Sequence, residues 1–98
     1  MKVKVKGVQC QHCKEFIYSR AHYDCISCSC GKVGIDGGPH IVGDNKSGYI
    51  RIKGYAKLEE YFLGNFESIN HARRILYDDW NKKENNYGVI KEEECLKE

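Results

Sequence analysis

The stretch VQCQHCKEFIYSRAHYDCISCSCGKVGIDGG, residues 8–38, decides how this chain folds. Five of the six cysteines fall in it: Cys10, Cys13, Cys25, Cys28 and Cys30, with Cys95 far downstream. Cys10-x2-Cys13 is one half-site for a soft metal ion, because a tight turn at that spacing presents two sulfurs while nearby N–H groups stabilise the thiolates. The other half-site is open between Cys25-x2-Cys28, the commoner spacing, and Cys28-x-Cys30, where Gly31 permits a sharper turn. Spacing alone favours the x2 pair slightly. Five reduced core cysteines, disulfides and an iron–sulfur cluster are the other readings of the set. Three cysteines joined by His12 or His22 would be a less closed site.

Working outward, residues 2–6 alternate Lys-Val-Lys-Val-Lys, which is strand periodicity with one polar face. Phe16–Tyr18, His22–Ser27, Lys32–Asp36, His40–Gly43 and Tyr49–Lys53 read as further short strands, separated by glycine-rich breaks such as Gly37-Gly38-Pro39. After Gly54 the period changes. Leu58, Tyr61 and Phe62 fit one face of a helix over 55–63, with Gly64 as its C-cap. A clearer helix covers 67–83, where Ile69, Ala72, Ile75, Leu76 and Trp80 form an apolar stripe and Asn65 or Ser68 supplies the cap. The expected fold class is α+β: a small zinc-ribbon-like antiparallel β module over 1–54, and a helical C-terminal extension over 55–98 packed on it. A chain of 98 residues has room for one core of this kind.

Residues 10–38 resemble a family of small, uncharacterised, zinc-ribbon-like phage and bacterial proteins. The matching features are Cys10-x2-Cys13, Ser19-Arg20-Ala21-His22, Asp24, Cys28-Ser-Cys30-Gly31 and Ile35-Asp36-Gly37-Gly38, with Tyr23 an insertion relative to the family's His-Asp pair. The resemblance implies Cys10, Cys13, Cys28 and Cys30 as zinc ligands and Cys25 as a small core residue. It also implies a phage-like setting, in which a small protein binds and modulates a host protein.

The formal net charge is +2, with nine Lys/Arg against four Asp/Glu in residues 1–53 and seven against ten in residues 54–98. Four thiolates on one Zn²⁺ add −2, so long-range attraction to a phosphate backbone is modest while a locally basic N-terminal face survives. Nucleic acid is therefore the second partner class, after a larger protein. Lys4, Lys6, Arg20 and Lys32 are its leading contacts, joined by Lys2, Lys14, Arg51 and Lys53, and Tyr18, Tyr49 and Tyr55 are available to stack. A homodimer is a third expectation, since so thin a core buries limited apolar area. An acid–base enzyme would have to use His22, Asp24 and Asp36, with His40 nearby; hydrogen bonding within a turn explains them more simply. Walker, dinucleotide and His-Glu-x-x-His patterns are missing from the sequence. No apolar leader precedes the cysteines and no segment is long and apolar enough to span a bilayer, which points to a cytoplasmic, reducing location where clustered thiols hold metal.

Overall fold

A computed structural model describes residues 1–22, 24–44, 50–82 and 87–95. Among the described residues, seven strands and one α-helix follow in order: β1 (Lys2–Cys10), β2 (Phe16–Ile17), β3 (Ile26–Ser27), β4 (Gly34–Gly37), β5 (Ile50–Lys53), β6 (Ala56–Asn65), α1 (Ile69–Lys82) and β7 (Val89–Ile90). A 3₁₀ turn, Glu92–Glu94, comes after β7. The strands form two antiparallel sheets, β6-β1-β2-β7 and β3-β4-β5. The fold is α+β, as the sequence pattern implies.

Strand β1 organises the molecule by burying different faces at its two ends. Val3 and Val5 point into one core with Phe16, Tyr18, Ile41, Tyr61, Ala72 and Leu76, beneath α1. Val8 and Cys10 have the opposite parity and enter a second core with Ile17, Cys28, Val33 and Ile35, against the three-stranded sheet. Side chains alternate across a strand, so this switch leaves the even-numbered face of the first half of β1 outside the helix-side core, with Lys2 exposed and Lys4 and Lys6 half-buried. Lys2, Lys4 and Lys6 lie there. Gly7 sits at the changeover, and a Cβ on it would stand 2.1 Å from the Ile17 carbonyl oxygen.

The segment 55–63 departs from the helical expectation: residues 56–65 are strand β6. From Cys10↔Ala56 to Lys2↔Asn65, β6 pairs with β1 along its whole length. A short run such as Leu58, Tyr61 and Phe62 fits either period, and pairing with β1 decides for the strand. Gly64, expected as a C-cap, instead adjoins a register shift between Val3 and Lys4. Because β6 belongs to the sheet of β1, residues 55–98 supply a long strand as well as a helix.

Helix α1 forms where the apolar stripe lies, and Ser68 is its cap, its Oγ accepting the His71 N–H at 3.0 Å. Its buried positions are Ala72, Leu76 and Asp79. The strand expected at 40–43 reduces to a single bridge, Val5↔Ile41, flanked by Lys6 N–H to His40 O and Val42 N–H to Lys4 O. The expectations for Tyr23, Tyr49, Lys83 and most of the loops at 44–48 and 85–88 lie outside the described residues. Among the described residues, no helix is long and apolar enough to cross a membrane.

Candidate metal centre

Two tight turns face each other at the end of the second core. In the first, the Cys10 N–H donates to the Glu15 carbonyl and the Cys10 carbonyl accepts from Lys14, closing the link between β1 and β2. Lys14 takes the left-handed conformation, φ 66°, that this turn requires. The N–H groups of His12 and Cys13 point at Cys10 Sγ, 3.3 and 3.4 Å away. In the second turn, the Cys28 N–H donates to Val33 O and Gly31 N–H to Cys28 O, with Gly31 at φ 76°. A side chain there would oppose the backbone conformation, which is why glycine follows Cys30.

The four sulfurs of Cys10, Cys13, Cys28 and Cys30 all lie within 4.8 Å of one another. Cys30 Sγ stands 3.6 Å from Cys10 Sγ and 3.4 Å from Cys28 Sγ. Tetrahedral Zn–S bonds of about 2.3 Å would put sulfurs about 3.8 Å apart, so the cluster has the size and donor set of a four-thiolate site. Cys10 and Cys28 are buried, Cys13 is half-buried and Cys30 is exposed.

Protonation within the cluster is uneven. Burial opposes ionisation of Cys10, yet the N–H groups of Cys13 and His12, with the Cys30 and Cys13 thiols, hold its pKa down at about 6. At Cys30 an N–H from Lys32 favours the thiolate, but desolvation and the neighbouring Cys28, Cys10 and Cys13 sulfurs push it up to about 11. Sulfurs this close share protons when no cation is present. A divalent ion would replace those protons.

Cys25 stands apart from this group. It is exposed, and a hydrogen bond to Asp36, ahead of burial, holds its thiol above the ordinary value. The slight preference of spacing for Cys25-x2-Cys28 is thus not met in space; the turn at Gly31 brings Cys30 in. Neither His12 nor His22 places a ring nitrogen in the group.

The other candidate residues separate. His22 Nδ1 pairs with the Gly38 carbonyl at 3.0 Å. Asp24 is buried and accepts from Arg20 N–H, Nε and Nη2 at 2.8, 2.8 and 3.2 Å. Asp36 lies beside Cys25. The triad expected of an acid–base enzyme is therefore divided among three local tasks. Arg20, expected on a nucleic-acid face, is committed inward: Nη1 also donates to Asp79 Oδ2 at 2.9 Å. Tyr18, expected to stack, is buried in the first core. Lys32 and Tyr55 are exposed, Tyr55 by 76%, while Lys4 and Lys6 are half-buried.

Two contacts were not anticipated. Glu15 accepts the Ser29 N–H at 2.8 Å and the Ser29 hydroxyl at 2.7 Å, tying one cysteine turn to the other. These bonds, the hydroxyl first, hold the Glu15 carboxyl below its usual range. Asp79 occupies a position on the buried face of α1 and joins Arg20 to the Tyr87 N–H at 3.0 Å. A signal for Asp79 exists in the sequence: it continues the three–four spacing of Ile69, Ala72 and Leu76. Glu15 carries no comparable mark.

The chain is thus a small α+β protein with a four-cysteine group able to hold a metal ion. Residues 2–42 match the family model of a domain of unknown function (DUF7695), and that segment contains all four clustered cysteines. No curated protein and no solved structure matches the chain.

Proposed function

We propose that Cys10, Cys13, Cys28 and Cys30 hold one Zn²⁺ as thiolates, and that the ion folds a module whose task is binding. The convergence of four sulfurs within 4.8 Å, from two turns distant in sequence, carries this reading. An all-sulfur set of this size suits zinc, and four protein ligands leave it no open position for a reacting water. The chain's own residues supply the rest: N–H groups from His12 and Cys13 stabilise the Cys10 thiolate, and the Glu15–Ser29 tie fixes the distance between the turns.

Native mass spectrometry of protein purified without added metal is expected to show one zinc per chain. Cys30→Ser should lose the ion and Cys25→Ser should keep it. Visible absorption from iron–sulfur charge transfer, or a mass two protons low for a disulfide, would replace this reading.

A larger protein is the partner that one surface favours. A cavity of about 300 Å³ lies between Ala21, Pro39 and the helix residues Asn70, Arg74 and Tyr77. Tyr77 is half-exposed there, and such an aromatic beside an arginine is a frequent binding anchor. Capture of a defined partner by wild type but not by Tyr77→Ala or Arg74→Glu, insensitive to moderate salt, is the expected result.

A further inference from the structure

We infer that the face of the β1–β6 ribbon turned away from α1 binds single-stranded nucleic acid, with Lys2, Lys4 and Lys6 following the phosphates and Phe62 stacking on a base. The inference rests on the proposed module only in requiring it to be folded, and it concerns a different surface from the cavity beside α1.

The geometry comes from register. Lys4 pairs with Phe62, Lys6 with Glu60 and Val8 with Leu58 across the two strands. These residues share the face that α1 does not cover, because Val3, Val5 and Tyr61 are the ones that pack into the helix-side core. The second core covers the face only from Val8 onward. The lysines at alternate positions of an extended strand are spaced about 6.6 Å apart, close to the step between phosphates of an extended nucleic-acid strand. Among the described residues no ion pair holds Lys4 or Lys6. Glu60 opposes Lys6 on the same face, so of Lys4 and Lys6 it is Lys4 that has no acidic residue across from it in the paired register.

Phe62 is half-buried, and Lys2 Nζ lies over its ring, 5.3 Å from the centroid. A base arriving on that ring would displace the ammonium toward the adjacent phosphate. Leu58, 51% exposed, extends the apolar strip beyond Glu60. An acidic peptide would satisfy the lysines but has no use for the ring, and a duplex would not present its base faces. Unpaired bases use both features, because every base has a π-face and every nucleotide a phosphate.

The test is fluorescence anisotropy with labelled twenty-residue oligothymidylate and oligouridylate, using zinc-loaded full-length chain. Three phosphate contacts predict a slope of about −2 for log affinity against log salt. The double variant Lys4→Gln, Lys6→Gln should weaken binding at low salt about tenfold or more and bring the slope to about −0.7. Phe62→Leu, which keeps an apolar side chain, should cost about fivefold or more while leaving the slope unchanged. Lys82→Gln, at the far end of α1, should change neither. Absence of binding at low salt, equal binding by the Lys4/Lys6 variant, or tighter binding of a poly-glutamate peptide would each overturn the assignment. Zinc content measured on the same samples separates the two readings. A zinc-loaded chain that binds no oligonucleotide removes this surface and leaves the staple, whereas binding by a folded chain that never contained zinc removes the staple and leaves the surface.

Discussion

At the residue scale, Glu15 has an influence out of proportion to its position. It is the second residue after Cys13, and Ser29 stands between Cys28 and Cys30, so one carboxylate spans both cysteine pairs. Partners just outside a metal's ligands hold those ligands in place, and losing one typically weakens metal binding about 10–100-fold. Glu15→Ala is expected to fall in that range in competition with a chromophoric chelator, with the four thiols still bound at saturating zinc. Unchanged affinity would mean that the two turns meet without help. His40 gives a pH-dependent counterpart. Burial, reinforced by Lys6, lowers its pKa below the ordinary 6.5. The folded state thus prefers the neutral ring. Its contribution to stability is present above the unfolded value near 6.5 and is lost as pH falls through the lower folded value. Replacing His40 with Asn should flatten the acid side of the stability–pH curve relative to wild type, measured by denaturant midpoints between pH 7 and 5.

At the element scale, the buried ion cluster joins three pieces of chain: Arg20 with Asp24, α1 and the approach to β7. Arg20 spends its guanidinium on Asp24 and Asp79, and Asp79 also accepts from Tyr87. Removing one partner strands the others in a dry site, a loss of about 3–5 kcal/mol by analogy with other buried pairs. Asp79→Ala should reduce the unfolding free energy by an amount in that range, whereas Asp78→Ala, one position away on the same helix, should stay within about 0.5 kcal/mol. Equal effects would show that the cluster is incidental. Much of this element-level structure was legible from sequence. The Lys-Val alternation gives β1, and the stripe from Ile69 to Trp80 gives α1. Residues 55–63 have an apolar spacing that suits both periods, and the partner that decides for the strand, β1, lies at the other end of the β module. Cys30 rather than Cys25 was legible only through family resemblance. Spacing cannot reveal a reversal that depends on Gly31 in a left-handed conformation. The inward turn of Arg20 was hidden for a related reason: its second carboxylate comes from residue 79.

At the scale of the whole molecule, two small cores share one strand, and only one of them contains metal-site residues. Cys10 and Cys28 are core members with Val8, Ile17, Val33 and Ile35. The other core is built from α1, β6 and the first half of β1. Zinc removal should therefore act unevenly. A ligand present at about a thousand times its dissociation constant contributes about 4 kcal/mol to the folded state, comparable to the total stability of many domains this small. With the ion gone, the cation that draws the two cysteine turns together is lost, and Cys10 and Cys28 lose the interaction that justifies burying them as ligands. Hydrogen exchange followed after chelation should show amides at 10–15 and 28–35 exchanging first. Those of α1 and the Val3–Tyr61 region should keep protection longer, because Phe16, Tyr18 and Leu76 still exclude water there. Simultaneous loss everywhere would mean that β1 couples the cores into one cooperative unit. Full protection at Cys28 and Val33 in a metal-free sample would mean that apolar packing alone holds the second core, and the zinc would then be a passenger on a fold already made.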